Sequence, residues 1–131
     1  MSQPLSHNWF IRADGLKLAY RKAEGAGPTF VFLPGYMSDM AGGKATAVFD
    51  WAVANGRACL LLDYAGCGES EGAFAEQTLT GWRDDVLAMI DVLVDGPVVL
   101  TGSSMGGWLM LLVGEALGDR LAGMIGIAPA P

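Results

Sequence analysis

The sequence predicts an α/β fold in which an N-terminal antiparallel hairpin leads into parallel β-α-β units, truncated after a sixth strand. Three observations predict it. Four short apolar runs, TFVFL (29–33), ACLLLD (58–63), PVVLT (97–101) and LAGMIGIA (121–128), read as strands, the first three buried on both faces. Segments of helical period lie between them. An alternating segment follows an Asp14-Gly15 turn ahead of the first run. Strands that alternate with helices place a parallel sheet between helical layers.

Residues 9–13 and 16–22 form the hairpin arms. Asp-Gly is a favoured two-residue turn because glycine accepts positive φ. In the second arm Leu16, Leu18 and Tyr20 alternate with Lys17, Ala19 and Arg21, the pattern of a half-exposed strand. Pro34-Gly35 ends the first buried strand. A helix is predicted over 44–54, where Ala45, Val48, Phe49, Ala52 and Val53 share a face, and Asn55-Gly56 stops it.

The glycine-rich segment 64–77 reads as a loop. Thr78 or Thr80 caps the next helix. Its apolar stripe is Trp82, Val86, Met89, Ile90 and Leu93, with Arg83, Asp84 and Asp91 turned away. Gly96-Pro97 ends it. The helix over 105–117 is apolar almost all round, which predicts deep burial. The last strand, 121–128, becomes an exposed apolar edge open to pairing with another chain.

One partial domain accounts for all 131 residues, with no repeats or linkers. A 52% hydrophobic chain with 17% charged residues suits a packed core. A net charge of -6 with scattered basic residues disfavours nucleic acid and anionic membrane surfaces. The polar start, Met1 to Asn8, lacks the apolar core of a signal peptide. The longest apolar stretch, Trp108 to Val113, is too short to span a bilayer. Cys59 and Cys67 form no disulfide framework and point to a reducing, cytoplasmic setting. No metal or cofactor is expected.

Gly102-Ser103-Ser104-Met105-Gly106 matches G-x-S-x-G, and so does Gly68-Glu69-Ser70-Glu71-Gly72. Context separates them. A nucleophile elbow needs a buried strand, a sharp turn and then a helix, with glycines that let the helix pack close. Ser104 follows PVVLT and opens an apolar helix. Ser70 sits inside a loop between two glutamates that repel an oxyanion, so it reads as a solvated turn residue. Ser104 is the candidate nucleophile, with Gly102 and Gly106 as elbow glycines.

The N–H of Met105, at the start of a helix, points at the tetrahedral oxyanion. The second donor belongs to the loop after the third strand, Leu33-Pro34-Gly35-Tyr36-Met37, where the Tyr36 N–H is the candidate. Met37, Met40 and Trp108 lie near these loops, and core packing explains them equally well.

The set LPGY (33–36), LLDYAGCGES (61–70), GWRDDV (81–86) and TGSSMGGWLM (101–110) resembles the α/β-hydrolase superfamily. Within it the chain is most similar to the branch of mitochondrial palmitoyl-protein thioesterases and their bacterial relatives. The similarity runs from Phe10 to Ala128. It implies the α/β-hydrolase fold and cleavage of acyl esters or thioesters through an acyl-enzyme. It implies an acylated or small-molecule substrate, Ser104 as nucleophile, and Tyr36 and Met105 as donors. Asp63 does not match the family's triad acid and reads as a brace for the loop that follows it.

A serine nucleophile needs a base. The one histidine is His7, in the polar N-terminal segment. The family order is Ser, acid, His, so base and acid are expected beyond Ser104. The C-terminal strands, the lid and both triad partners are expected to be absent, and the 131 residues alone to be inactive. The alternative is a non-catalytic truncated fragment or binding module of the same fold. C–C bond hydrolysis and perhydrolysis use the same elbow.

Overall fold

The computed structural model describes residues 7–35 and 39–127. In chain order the elements are β1 (Asn8–Ile11), β2 (Lys17–Ala23), β3 (Ala26–Leu33), α1 (Gly43–Ala54), β4 (Arg57–Leu62), α2 (Leu79–Leu93), β5 (Val98–Ser103), α3 (Met105–Leu117) and β6 (Leu121–Ile127). The strands form one mixed sheet in the order β1-β2-β4-β3-β5-β6. β1 and β2 pair antiparallel, and so do β2 and β4; the β4-β3-β5-β6 part is parallel. The order of elements and the parallel central sheet are those the apolar runs predict.

The period of two along each central strand explains why the runs are continuously apolar. Leu60 and Leu62 join Leu18, Val31, Leu33 and Leu100 on one face, covered by α2 and α3. Cys59 and Leu61 join Ala19, Ala23 and Phe32 on the other, covered by α1 through Ala45, Phe49 and Ala52. Each wholly buried leucine on β4 stabilises the fold by about 1.5–3 kcal/mol. Thr78 caps α2, its Oγ1 accepting from the Gly81 N–H at 3.0 Å.

Several details depart from the sequence reading. The hairpin turn has three residues, not two. Arg12 N–H donates to Leu16 O and Gly15 N–H to Arg12 O, with Gly15 at φ 90°. Asp14 stabilises this longer loop by accepting from the Arg12 guanidinium and from Leu16 N–H. β2 is not half-exposed, because α1 covers its second face at Ala19. Val53 is exposed in the last turn of α1.

α3 is not buried all round. Gly106, Leu109, Met110 and Val113 face the sheet and α2, while Trp108 and Leu111 are about half exposed on its outer side. β6 ends the sheet, with Met124 and Ile125 exposed. Among the described residues no helix is long and apolar enough to cross a membrane.

Candidate active site

β5 ends at Ser103 and α3 begins at Met105, so the whole reversal of the chain falls on Ser104. Its backbone takes φ 54° and ψ −120°, and among the described residues no other non-glycine has positive φ. Such a conformation costs about 1–3 kcal/mol and persists only where the surroundings impose it. Two backbone bonds impose it here: Ser104 N–H donates to Ile127 O at 3.2 Å, and Gly107 N–H donates to Ser104 O at 2.9 Å. The side chain is exposed above the C-terminal edge of the parallel strands.

The flanking glycines are required by close approach. A Cβ on Gly102 would strike the Gly106 carbonyl oxygen and lie 2.9 Å from Gly107 Cα. A Cβ on Gly106 would strike the Leu33 carbonyl oxygen and lie 2.8 Å from that of Pro34. The first turn of α3 therefore rests directly on the end of β3. Met105 is the first residue of α3, where backbone N–H groups have no partner within the helix. An ideal Cβ on Gly35 would sit 3.0 Å from Ser103 O and 3.7 Å from Ser104 Oγ. The Gly35 backbone thus lies beside the serine. Tyr36 and Met37 lie outside the described residues.

The loop that follows β4 braces this arrangement. Asp63 is 1% exposed; its Oδ1 accepts from Met40 N–H at 2.7 Å and its Oδ2 from Glu69 N–H at 2.9 Å. Both oxygens are engaged, which fits a brace rather than a triad acid. Burial pushes the Asp63 carboxyl above its ordinary range, against the two N–H bonds that favour the anion. Tyr64 donates its buried hydroxyl to Pro34 O at 2.7 Å and stacks on Trp82, whose indole N–H donates to Ala65 O.

Ser70 is no solvated turn residue. Its Oγ donates to Asp63 O at 2.7 Å and accepts from Ala19 N–H at 2.8 Å, tying the loop to β2. The second G-x-S-x-G match is a structural clasp, a role the pattern alone cannot reveal. Cys59 and Cys67 are buried free thiols. Burial pushes Cys59 up to about 12 and raises Cys67, so neither offers a thiolate.

His7 packs edge-on against Trp9 beside β1, 4.9 Å between ring centroids. Four strand spacings separate β1 from β5 in the sheet, roughly 19 Å at the usual interstrand distance. His7 lines a pocket with Arg21, Asp39, Met40 and Asp63, and Ser104 is not part of that lining. Two groups to which the sequence reading gives no role are bonded to each other beside the elbow. Lys44 Nζ donates to the buried Ser103 Oγ at 3.3 Å, beside a cavity of about 220 Å³. Lys44 sits on a helix reached through a loop, and no local pattern pairs it with Ser103. Met40 proves to be a core residue, 4% exposed.

The sheet order, the crossing helices and the sharp turn at Ser104 are those of an α/β hydrolase. Residues 27–131 match the family model described as serine aminopeptidase, S33, and the chain belongs to that family. It is 45% identical over 128 residues to the human mitochondrial palmitoyl-protein thioesterase ABHD10, covering 98% of this chain and 42% of that protein. The solved mouse α/beta hydrolase domain-containing protein 10 superposes with a TM-score of 0.91 at 42% identity, over 95% of this chain and 50% of that one. A solved protein from Agrobacterium vitis S4 gives 0.86 at 33% identity, over 98% and 54%.

The chain thus spans less than half the length of the curated relatives it matches. The cytoplasmic setting expected from the cysteines is corrected by these comparisons. The human, orangutan and mouse relatives are named as mitochondrial. Two buried free thiols report core packing and do not identify a compartment.

Proposed function

We propose that the full-length protein cleaves acyl esters or thioesters through an acyl-enzyme on Ser104. The observation that carries this reading is the strained backbone of Ser104 between the buried strand β5 and the first turn of α3. In this reading Ser104 Oγ attacks the acyl carbonyl and the leaving alcohol or thiol departs. Water then releases the acid. The N–H groups of Tyr36 and Met105 receive the oxyanion, aided by the positive end of the α3 dipole. Relatives named as palmitoyl-protein thioesterases support an acylated substrate.

Among the described residues no base reaches Ser104. We infer that a histidine and an acid from further chain complete the triad, and that the 131 residues alone turn over negligibly. The free edge of β6, with Met124 and Ile125 exposed, is proposed to pair with a further strand. A fluorophosphonate probe on the full-length protein is expected to label Ser104 and to be lost in Ser104→Ala. Undiminished labelling of that variant contradicts the proposal.

A further inference from the structure

The loop that joins β3 to α1 has two described ends, and they are held in different ways. At the β3 end the backbone of Gly35 lies against Ser103 and Ser104. Tyr64 fixes Pro34 there, and Asp63 fixes Met40 further along. At the α1 end a cavity of about 220 Å³ opens between the loop and the end of β5, lined by Phe32, Pro34, Gly35, Asp39, Lys44 and Ser103 among others. The Lys44 Nζ–Ser103 Oγ bond of 3.3 Å reaches across this gap. Among the described residues it is the one side-chain hydrogen bond that joins α1 to β5. Ser103 is 6% exposed and directly precedes the strained Ser104.

The elbow and the start of α1 are separately built pieces, and a nucleophile with preorganised donors acts only where its place is fixed. We propose that Lys44 is a positioning residue for ester or thioester cleavage. By holding Ser103 it ties the start of α1 to the elbow and so holds Ser104 and the first turn of α3 in place against the Gly35 backbone. The proposal rests on Ser104 being the nucleophile.

The test uses the full-length protein, a chromogenic thioester and the variants Lys44→Met, Lys44→Arg, Ser103→Ala and the double Lys44→Met/Ser103→Ala. Lys44 is exposed apart from its tip, so the variants at 44 are expected to keep the wild-type melting temperature. Lys44→Met and Ser103→Ala should each lower kcat and kcat/KM together by about tenfold, with KM held within about twofold. The double variant should be no slower than either single variant, because both remove one interaction. Lys44→Arg should recover most of the rate.

A wild-type enzyme that labels at Ser104 and turns over, with Lys44→Met equally fast, overturns the positioning role alone. So do losses that multiply in the double variant. If Ser104 is not labelled at all, the reading of the site fails first and takes this role with it.

Discussion

Met40 donates its backbone N–H to the buried carboxyl of Asp63 at 2.7 Å, across 23 positions of sequence. That bond joins the loop after β3, whose Gly35 lies against Ser104, to the glycine-rich loop after β4. The carboxyl also accepts from Glu69 N–H, and Gly68, at φ 52°, leaves no space beside it for a side chain. The segment LLDYAGCGES is therefore a brace for the loop that runs past Ser104.

Asp63→Asn tests the brace. An amide offers one acceptor, so either Met40 N–H or Glu69 N–H faces an NH2 donor. Leaving one buried donor unpaired costs about 1–3 kcal/mol, read from chemical unfolding of the full-length protein. The pH dependence has a definite sign. The native carboxyl sits above its ordinary 3.8, so the folded state holds a proton that the unfolded chain releases. This contribution to stability is fully present below 3.8 and is lost as pH rises through the raised native value. Asp63→Asn cannot ionise, so its stability profile should be flatter across that window.

Tyr64→Phe keeps the stack on Trp82 and removes the bond to Pro34. The result is an unsatisfied buried carbonyl, costing about 1–2 kcal/mol. The rate should fall with it, because Pro34 and Gly35 lead into the proposed oxyanion loop. A variant that loses stability with kcat intact would place the bond in folding alone.

Much of this was legible in the sequence, for identifiable reasons. β4 and β5 read correctly because strands buried on both faces must be apolar at every position. α3 was placed at its observed bounds because Ser104 and Gly118 bracket an uninterrupted apolar run. Its exposed outer side was misread, since composition cannot separate a helix buried all round from one whose outer side stays uncovered. Ser70 was misread because a hydroxyl clasped between Asp63 O and Ala19 N–H requires β2 and the loop to meet in space. Lys44 and Ser103 were missed for the same reason: 59 residues separate them, and only the fold brings them together.

Ser104→Gly and Ser104→Ala should separate strain from chemistry. Glycine adopts φ 54° without a Cβ penalty, so Ser104→Gly should stabilise the full-length protein by about 1 kcal/mol. Ser104→Ala keeps the strained Cβ and should leave stability near that of the wild type. Both should be inactive. Equal melting temperatures for the two variants would show that the turn stores no strain.

Gly106→Ala should destabilise by about 3 kcal/mol or more, because the added methyl meets the backbone of Leu33 and Pro34 where neither side can yield. Gly96→Ala is the control for glycine replacement away from the site. Gly96, unlike Gly106, has positive φ, and nothing lies within 4 Å of its missing Cβ, so only the backbone penalty applies there.

The chemistry is tested most directly by locating a trapped acyl group. Full-length protein would be mixed with a slowly turned-over long-chain thioester, quenched in acid and digested, and the modified peptide sequenced by mass spectrometry. The acyl group is predicted on Ser104, within the peptide that carries Gly102 to Gly106. Acylation at Ser70 or Cys67, or turnover with no adduct on Ser104, would contradict it.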